Sequence, residues 1–155
     1  MNERRLAIMK IDKFDGDYAF LSNFYAAPVK YNGILFPNSE AAFQAQKCPT
    51  RAIEFANTKT PGQAKRLGRQ VPLRTDWNLV RIGIMEDIVR CKFIQHPILA
   101  NKLVATGAAE LIEGNYWHDC FWGVCNGFGE NHLGQILMKI RTEFINERTK
   151  ANEKY

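Results

Sequence analysis

The chain of 155 residues lacks any long hydrophobic run. No stretch approaches the roughly 20 apolar residues that a helix needs to cross a bilayer. The first residues, Met1–Arg5, are not followed by an apolar segment of the length found in secretory signals. We therefore expect a cytosolic protein with no membrane partner.

Cysteine and histidine are scarce, and their spacing is uninformative. The four cysteines are Cys48, Cys91, Cys120 and Cys125. They form no Cys-x-x-Cys pair, and a reducing compartment argues against disulfides. Two of them lie near His118 and His132, but the spacing matches no familiar zinc site. We expect neither a disulfide nor a bound metal.

Blocks of like charge are also absent outside the chain ends, although the formal net charge is +5 and the pI is about 9.1. A balance of this size permits a phosphate-bearing partner without requiring one. No helix-turn-helix, zinc-finger or single-strand-binding signature is present. We therefore do not expect a dedicated nucleic-acid-binding protein.

The sequence shows no internal repeat, linker or low-complexity stretch. Hydrophobic residues make up 46% of it, and a chain of this length can bury a core that folds without disulfides or metals. We expect a single domain over residues 1–155, with an ordered core at about residues 8–148. The sequence does not indicate an oligomeric state.

A small antiparallel sheet is expected near the amino end. Asn32-Gly33 stands between Val29–Tyr31 and Ile34–Phe36, which is typical of a tight hairpin turn. Another brief strand is expected within Ala109–Glu113. Helix signals dominate the remainder, so the predicted class is helix-rich α+β.

The first helix is predicted from its cap. Asn38 or Ser39 can cap a helix that ends near Cys48. Another turn or two of helix is expected at residues 51–57. The helical stretch after the cap carries the first group of candidate functional residues.

Two further helices carry recognisable start signals. Thr60 and Gln63 have the spacing of a capping box, with proline at the first helical position, so a helix is expected to run to about Gly68. Asp76 can cap the longest helix, which should end at His96 before a proline. Its apolar stripe is expected at Trp77, Val80, Ile84, Ile88 and Cys91.

The last helix is predicted to follow Asn131 as its cap. Before it, Ile98–Ala105 is short and apolar, with Thr106-Gly107 as its stop signal. The expected amphipathic stripe of the last helix is Leu133, Ile136, Leu137, Ile140 and Phe144. Residues 150–155 are expected to fray.

One candidate site lies on the first predicted helix. Glu40, Gln44 and Lys47 return to nearly the same helix face, because their spacing matches the helical period. An acid, an amide and an amine on one face could hold a sugar. A plainer interpretation is that acids favour helix starts and bases favour helix ends, through the helix macrodipole.

A second candidate site lies in a predicted loop at residues 114–130. Four aromatic residues surround Asp119 within residues 115–123, and glycines follow at 127, 129 and 134. Long loops in compact domains are often functional. Gly129-Glu130-Asn131 leads into a helix start whose amides could bind phosphate. The alternative is that the tryptophans anchor the loop to the core.

Several short motifs occur in order along nearly the whole chain. They are Ser22-Asn23-Phe24, Pro37-Asn38-Ser39-Glu40, Gln44-Ala45-Gln46-Lys47, Ala64-Lys65-Arg66-Leu67-Gly68-Arg69, Trp77, Lys92-Phe93, Thr106-Gly107, Asp119, Trp122-Gly123 and the helix start Asn131-x-Leu133-Gly134 with Ile136-Leu137-Met138-x-Ile140-Arg141. As a set they resemble the NADAR family, also called YbiA-like. The resemblance implies a helix-rich α+β domain that hydrolyses N-glycosidic bonds.

The resemblance also implies roles for individual residues. Glu40, Trp77 and Asp119 match the family's functional positions. The surrounding pocket signature is Asn23, Lys47, Arg69, Lys92, Trp122 and Gly123. Phe24, Gln44 and Asn131 lie within the same motifs and are expected to contact substrate.

This chain departs from the family pattern at two points. Ala41 stands where the family often has histidine, and Val124-Cys125 stand where further acidic or glycine residues are common. The substrate implied by the family is a phosphorylated ribosylamino-pyrimidine intermediate of riboflavin synthesis, cleaved to release ribose 5-phosphate. Alternatives are ADP-ribose removal from guanine in nucleic acid, and a non-catalytic sensor of ADP-ribose or a related nucleotide.

The chemistry explains why such residues are needed. Cleaving the bond between ribose C1′ and nitrogen builds positive charge on the sugar and negative charge on the departing base. Glu40 or Asp119 could stabilise the sugar cation or activate water, while the other protonates the base. Alternatively, Lys47 could attack C1′ and form an imine, which requires a neutral amine. No cofactor is required.

Other residues would bind the ends of the substrate. Trp77 or Trp122 would offer a flat face to the base. Arg69 and Lys92 would neutralise the 5′-phosphate. For Arg69, which follows a predicted helix end, the alternative is that it caps helix carbonyls.

Overall fold

Residues 9–154 are described by a computed structural model. They fall into two compact units, one comprising residues 23–97 and the other comprising the residues before 23 and after 97. Met1–Arg5, Ile8 at the expected start of the ordered core, and Tyr155 lie outside the described residues. No helix within residues 9–154 is long and apolar enough to cross a membrane.

The unit of residues 23–97 begins with the expected hairpin. Strands β2 (Val29–Tyr31) and β3 (Ile34–Phe36) pair in antiparallel register. The turn between them places Asn32 at φ 49° and Gly33 at φ 80°, the left-handed geometry that favours these two residue types. The predicted hairpin is therefore confirmed.

Four α-helices and a 3-10 helix (Pro49–Arg51) complete this unit. The α-helices are α1 (Ser39–Ala45), α2 (Ala52–Ala56), α3 (Pro61–Gly68) and α4 (Trp77–Gln95). Helix α1 is buried along its whole length and packs against the other three. An element surrounded in this way is held firmly, which makes α1 a rigid support for side chains.

Two helix caps follow the sequence prediction, with one difference. Asn38 Oδ1 accepts a hydrogen bond from the amide of Ala41 at 2.8 Å, and Thr60 Oγ1 accepts from Gln63 at 3.1 Å. In a full capping box the Gln63 side chain would bond the amide of Thr60. It instead accepts from Lys59, one residue earlier.

Helix α4 departs from its prediction in cap and stripe. Asp76 stands at the cap position, but its carboxylate pairs with Arg74 at 2.6 Å and makes no capping bond. A charge-assisted pair outcompetes the neutral amide donor. The buried residues of α4 are Trp77, Met85, Ile88, Val89, Lys92 and Phe93. The expected Val80, Ile84 and Cys91 are only half-buried, so the stripe was partly misplaced.

The other unit contains two short parallel strand pairs, and of their four strands the sequence predicted only the one within Ala109–Glu113. Strand β1 (Lys10–Ile11) pairs with β4 (Glu110–Leu111), and β5 (Gly114–Asn115) pairs with β6 (Val124–Cys125). The segment expected to be a plain loop therefore holds a strand at each side. Helix α5 (Pro97–Ala105) fills the short apolar segment, and Gly107 at φ 63° follows its end.

The last helix, α6 (His132–Glu153), carries the expected stripe. All five predicted apolar positions are buried, together with Arg141. Arg141 donates to Ala109 O at 2.8 Å and to Thr106 Oγ1 at 3.0 Å, which accounts for its burial. Because α6 continues to Glu153, the expected fraying of residues 150–153 is wrong.

Candidate active site

Helix α1 brings an acid and an amide together inside the unit of residues 23–97. Glu40 is 8% exposed and Gln44 is 5% exposed. Gln44 Nε2 donates to Glu40 Oε1 at 2.8 Å, across one helical turn. The carboxylate is therefore held in one orientation by a charge-assisted hydrogen bond.

The segment before the hairpin lies next to this acid. The backbone amide of Glu40 donates to Asn23 O at 3.1 Å. Asn23 is buried, and its Nδ2 donates to Met85 Sδ at 3.3 Å, which ties the segment to α4. Phe24 is 48% exposed. Asn23 thus supports Glu40 through its backbone, and Phe24, the next residue in the chain, is half exposed.

Lys47 does not lie on the same helix as Glu40, which corrects the sequence interpretation. Helix α1 ends at Ala45, and Lys47 lies in the following turn, with its amide donating to Gln44 O at 3.1 Å. Glu40 and Lys47 nevertheless interact electrostatically, because the tight turn continues the helical path. Lys47 Nζ lies 5.9 Å from the centroid of the Trp77 ring.

The environment of Lys47 favours its neutral amine. Burial lowers the pKa of Lys47, the nearby charge of Glu40 raises it, and the charges of Arg69 and Lys65 lower it further. The net direction is downward from the ordinary value of 10.5. The competition that the sequence left open between burial and Glu40 is therefore decided for burial.

Lys65 of α3 and Arg69, which follows the end of α3, contribute to this environment. Arg69 is the exposed residue that follows the last turn of α3, and Lys65 lies four residues earlier on the same helix. Residues with this spacing share a helix face. Sequence reasoning assigned a role to Arg69 and none to Lys65, although this spacing was a signal for it.

The side chain of Trp77 is buried, so little of its ring face is accessible to a ligand. It is 7% exposed, and its ring centroid lies 5.1 Å from that of Phe43 at an interplanar angle of 47°. Its expected stacking on a base stays a prediction. The observed geometry makes Trp77 a wall for the Lys47 side chain.

Lys92 lies in the interior of its unit and not at the protein surface. It is 1% exposed, and burial lowers its pKa to about 7. Its Nζ lies 5.7 Å from the Tyr25 ring centroid and 5.2 Å from that of Phe93. The expected role of Lys92 in neutralising the 5′-phosphate together with Arg69 stays a prediction.

In the other unit, Asp119 shapes its own loop. Its Oδ1 accepts hydrogen bonds from the amides of Phe121 at 3.1 Å and Trp122 at 2.9 Å. Asn115 clamps the same residue, because its side chain accepts from the Asp119 amide at 3.0 Å and donates to the Asp119 carbonyl at 2.8 Å. One carboxylate oxygen of Asp119 is thus engaged in holding the turn.

The neighbours of Asp119 also have structural contacts. Trp122 is half-buried, with its ring edge-on to Phe121 at 4.8 Å between centroids. A side chain on Gly123 would overlap Glu113, so this position requires glycine. These contacts agree with the anchoring alternative for Trp122. Their expected binding roles stay predictions.

The start of α6 is not an open phosphate site, contrary to the sequence interpretation. The amides of Glu130, Asn131, His132 and Leu133 donate to the carbonyls of Cys120, Gly123, Phe121 and Trp122, respectively, at 2.8–3.3 Å. The loop therefore fills the anion site with its own carbonyls. The Asn131 side chain bonds Glu113 N and Leu111 O and makes no capping bond.

The predicted residues therefore form two groups, each within one unit. Residues 23–97 bring together Asn23, Glu40, Gln44, Lys47, Arg69 and Trp77, with Lys65 as an addition. The loop of the other unit groups Asp119, Trp122, Gly123 and Asn131 around the start of α6. A shared pocket of Glu40 and Asp119 stays a prediction.

Known proteins show similarity along most of this chain. The sequence model of the NADAR domain matches residues 11–145. N-glycosidase YbiA of Escherichia coli (strain K12) is 39% identical over 137 residues, which cover 85% of this chain and 85% of that protein. The NMR structure of the E. coli protein YbiA has a TM-score of 0.80 and 37% identity, covering 92% of this chain and 87% of that one.

Longer proteins contain a similar region. Riboflavin biosynthesis protein VVA0006 of Vibrio vulnificus is 40% identical over 134 residues, which cover 83% of this chain and 36% of that protein. Riboflavin biosynthesis protein PYRR of Zea mays is 37% identical over 99 residues, which cover 59% of this chain and 16% of that protein. The chain thus spans about a third or less of these two relatives and most of the length of YbiA.

Proposed function

Because the chain belongs to the NADAR domain family, we propose that it is an N-glycosidase that cleaves the bond between ribose C1′ and nitrogen in phosphorylated ribosylamino-pyrimidine intermediates of riboflavin biosynthesis. The names of its relatives support the activity and the pathway. The single observation that carries the proposal is the buried Glu40–Gln44 pair beside an amine whose pKa is lowered. The products are ribose 5-phosphate and the free aminopyrimidine.

A cytosolic location is part of this proposal. A phosphorylated sugar carries charge, and moving a charged group into hydrocarbon is costly. Such a substrate stays in the compartment where it is made. The enzyme must therefore work in the same compartment as the reactions that form the intermediate.

Glu40 is the proposed partner of the positive sugar. Its carboxylate is fixed by Gln44 at 2.8 Å, so no reorientation is needed when charge develops on C1′. In direct hydrolysis, water adds to C1′ and gives up a proton as the bond to nitrogen breaks, and the departing nitrogen takes a proton. Asp119 stays the candidate for the proton donor.

Lys47 supports a second route for the same reaction. Its neutral amine would bond to C1′ while the bond from C1′ to the base breaks and the base takes a proton. The C1′–O4′ bond of the ribose would then break to give the iminium, and O4′ would take a proton. Water would add to C1′ and give up a proton, which releases the sugar and restores the neutral amine. The lowered pKa of Lys47 favours this route, because it increases the fraction of neutral amine at neutral pH.

The function is tested by release of ribose 5-phosphate from a purified ribosylamino-pyrimidine phosphate. We expect turnover by the wild type and a loss of about 10²-fold or more in Glu40→Gln, because positioned acid-base and electrostatic groups contribute on that order. Glu54→Gln is the matched control, since Glu54 is an exposed carboxylate on α2 paired with Arg51. Binding without any turnover by the wild type would indicate a sensor instead.

The route is tested by borohydride reduction during turnover. An imine on Lys47 would be reduced to a stable secondary amine, seen as a mass increase on the peptide that contains Lys47. The Lys47→Arg variant, which retains the charge, should show no adduct. Undiminished turnover with no adduct in the wild type would leave direct hydrolysis as the mechanism.

A further inference from the structure

Within residues 9–154, the side chain of Gln44 makes one hydrogen bond, to the carboxylate of Glu40. The side chain is buried on α1, and its Nε2 lies 2.8 Å from Glu40 Oε1. An N–H donor facing a carboxylate oxygen stabilises the ionised acid more than the neutral acid. Gln44 therefore influences both the position and the charge of Glu40.

Helix α3 fixes the other end of the same amide. Gly68 packs against Gln44 so closely that a side chain there would overlap Gln44 Oε1, and its Cβ would lie only 2.9 Å from Gln44 Cδ. Only glycine leaves this space. The Gln44 side chain is thus confined between Glu40 and the backbone of α3.

The confinement of Gln44 leaves one of its polar atoms without a hydrogen bond. Gln44 Oε1 is buried, and it has no hydrogen-bond partner among the described residues. The opposite amide orientation would place two oxygens, Gln44 Oε1 and Glu40 Oε1, against each other. An unsatisfied buried acceptor is destabilising, so the oxygen of this amide lowers stability where it lies.

We propose that Gln44, confined by Gly68, is a positioning residue that holds Glu40 in its ionised form and aims it at the positive charge that develops on the ribose. This inference rests on the proposed N-glycosidase function. It assigns Glu40 to stabilising the sugar cation or activating water. The proton for the departing base must then come from another group.

The kinetic test replaces the amide without shortening the side chain. Gln44→Met should lower kcat by about 10–100-fold with little change in KM, because misplacing a reacting group affects mainly the transition state. Gln46→Met is the matched control, since Gln46 is equally buried but donates to the backbone carbonyl of Ala42. Thermal unfolding checks that Gln44→Met is folded, because the variant removes both the unsatisfied Gln44 oxygen and a donor to the buried Glu40 carboxylate.

A double variant separates positioning from general structure. If Gln44 acts through Glu40, then Glu40→Gln combined with Gln44→Met should be no slower than Glu40→Gln alone. Additive losses, or wild-type kcat in Gln44→Met, would overturn the proposal. Gly68→Ala should reproduce the kcat loss of Gln44→Met, although it alters no polar group.

A measurement without turnover distinguishes this inference from the proposed function. In NMR spectra of the wild type, the Gln44 side-chain amide should exchange slowly and move strongly on Glu40→Gln, while the Gln46 amide should not move. This result would stand even if no ribosyl substrate were cleaved. A Gln44 amide that exchanges as fast as an exposed glutamine would refute the contact itself.

Discussion

At the residue scale, the pKa of Lys47 depends on charges that come from outside α1 and the turn that follows it. Burial alone lowers its pKa, Glu40 opposes this, and the charges of Arg69 and Lys65 act with burial. The helical spacing of Glu40 and Lys47 therefore describes only part of their environment. The cations Lys65 and Arg69 help to determine how much of the amine is neutral.

Removing the Arg69 charge should change the pH dependence of turnover. In Arg69→Gln the pKa of Lys47 should rise, because a neighbouring positive charge is lost while Glu40 stays. Less neutral amine is then present at neutral pH, so kcat should fall there and recover as the pH increases. A kcat profile against pH measures this shift, with Arg66→Gln as a control on the same helix. An unchanged profile would contradict a reactive Lys47 amine.

Lys92 should impose a pH dependence on stability. Its pKa is lowered from 10.5 to about 7 in the folded protein. Between these values the unfolded chain binds the proton and the folded protein does not, so stability should rise with pH across this window. Each pH unit adds up to about 1.4 kcal/mol.

Lys92→Met should remove this dependence. The stability of the variant relative to the wild type should be greatest at or below pH 7. Urea unfolding of both proteins from pH 6 to 10 tests the prediction. Because other groups titrate equally in the two proteins, the difference between their curves isolates Lys92. Parallel curves would show that the Lys92 amine is not buried in this way.

Asp119 allows a separation of loop support from chemistry. Asparagine keeps an Oδ1 that can accept from the amides of Phe121 and Trp122, but it carries no charge. We expect Asp119→Asn to retain its melting temperature and lose turnover. Asp119→Ala should lose both, since the turn loses its acceptor. Full turnover in Asp119→Asn would limit Asp119 to holding the loop.

At the element scale, local signals in the sequence predicted the hairpin and the cap of α1, although the expected caps at Asp76 and Asn131 make no capping bond. The pairing of strands from distant segments was not predicted. The hairpin at Asn32-Gly33 and the cap at Asn38 depend on neighbouring residues, and both were predicted. The pairing of β1 with β4 joins segments about 100 residues apart, and no local pattern encodes it. Two-residue strands are also too short to show alternation.

The candidate site follows the same rule. The Glu40–Gln44 contact lies within one helical turn and was predictable from spacing. The filling of the α6 start by loop carbonyls and the approach of Gly68 to Gln44 depend on packing between elements. Motif order identified the residues, but it did not distinguish those that hold the loop from those that could contact substrate.

Two glycines in helices should respond in opposite ways to alanine. A Cβ on Gly83, in α4, would meet no atom within 4 Å, whereas a Cβ on Gly134, in α6, would overlap Leu111 O. Gly83→Ala should stabilise the protein by about 0.5–1 kcal/mol through helix propensity. Gly134→Ala should destabilise it, since α6 must move away from β4. Chemical denaturation measures both, and destabilisation by Gly83→Ala would contradict the open environment.

At the scale of the whole molecule, the net charge of +5 suits a phosphorylated substrate but does not select one. Exposed charges are screened over about 10 Å at 0.1 M salt. The charged groups named for the site are few, and Lys47 is only partly exposed. Binding of one ribosyl phosphate should therefore depend on local contacts more than on the overall charge.

This argument predicts a shallow dependence of KM on salt. Between 50 and 200 mM potassium chloride, KM for a ribosylamino-pyrimidine phosphate should rise by less than about tenfold, with kcat unchanged as the internal control. A protein that neutralises 6–10 phosphates of a polyanion loses about 10³–10⁵ in affinity over the same range, because counterions are released. The proposed substrate has a single phosphate, so its binding releases few counterions. A loss of several decades would instead indicate that the natural substrate is carried on a nucleic acid.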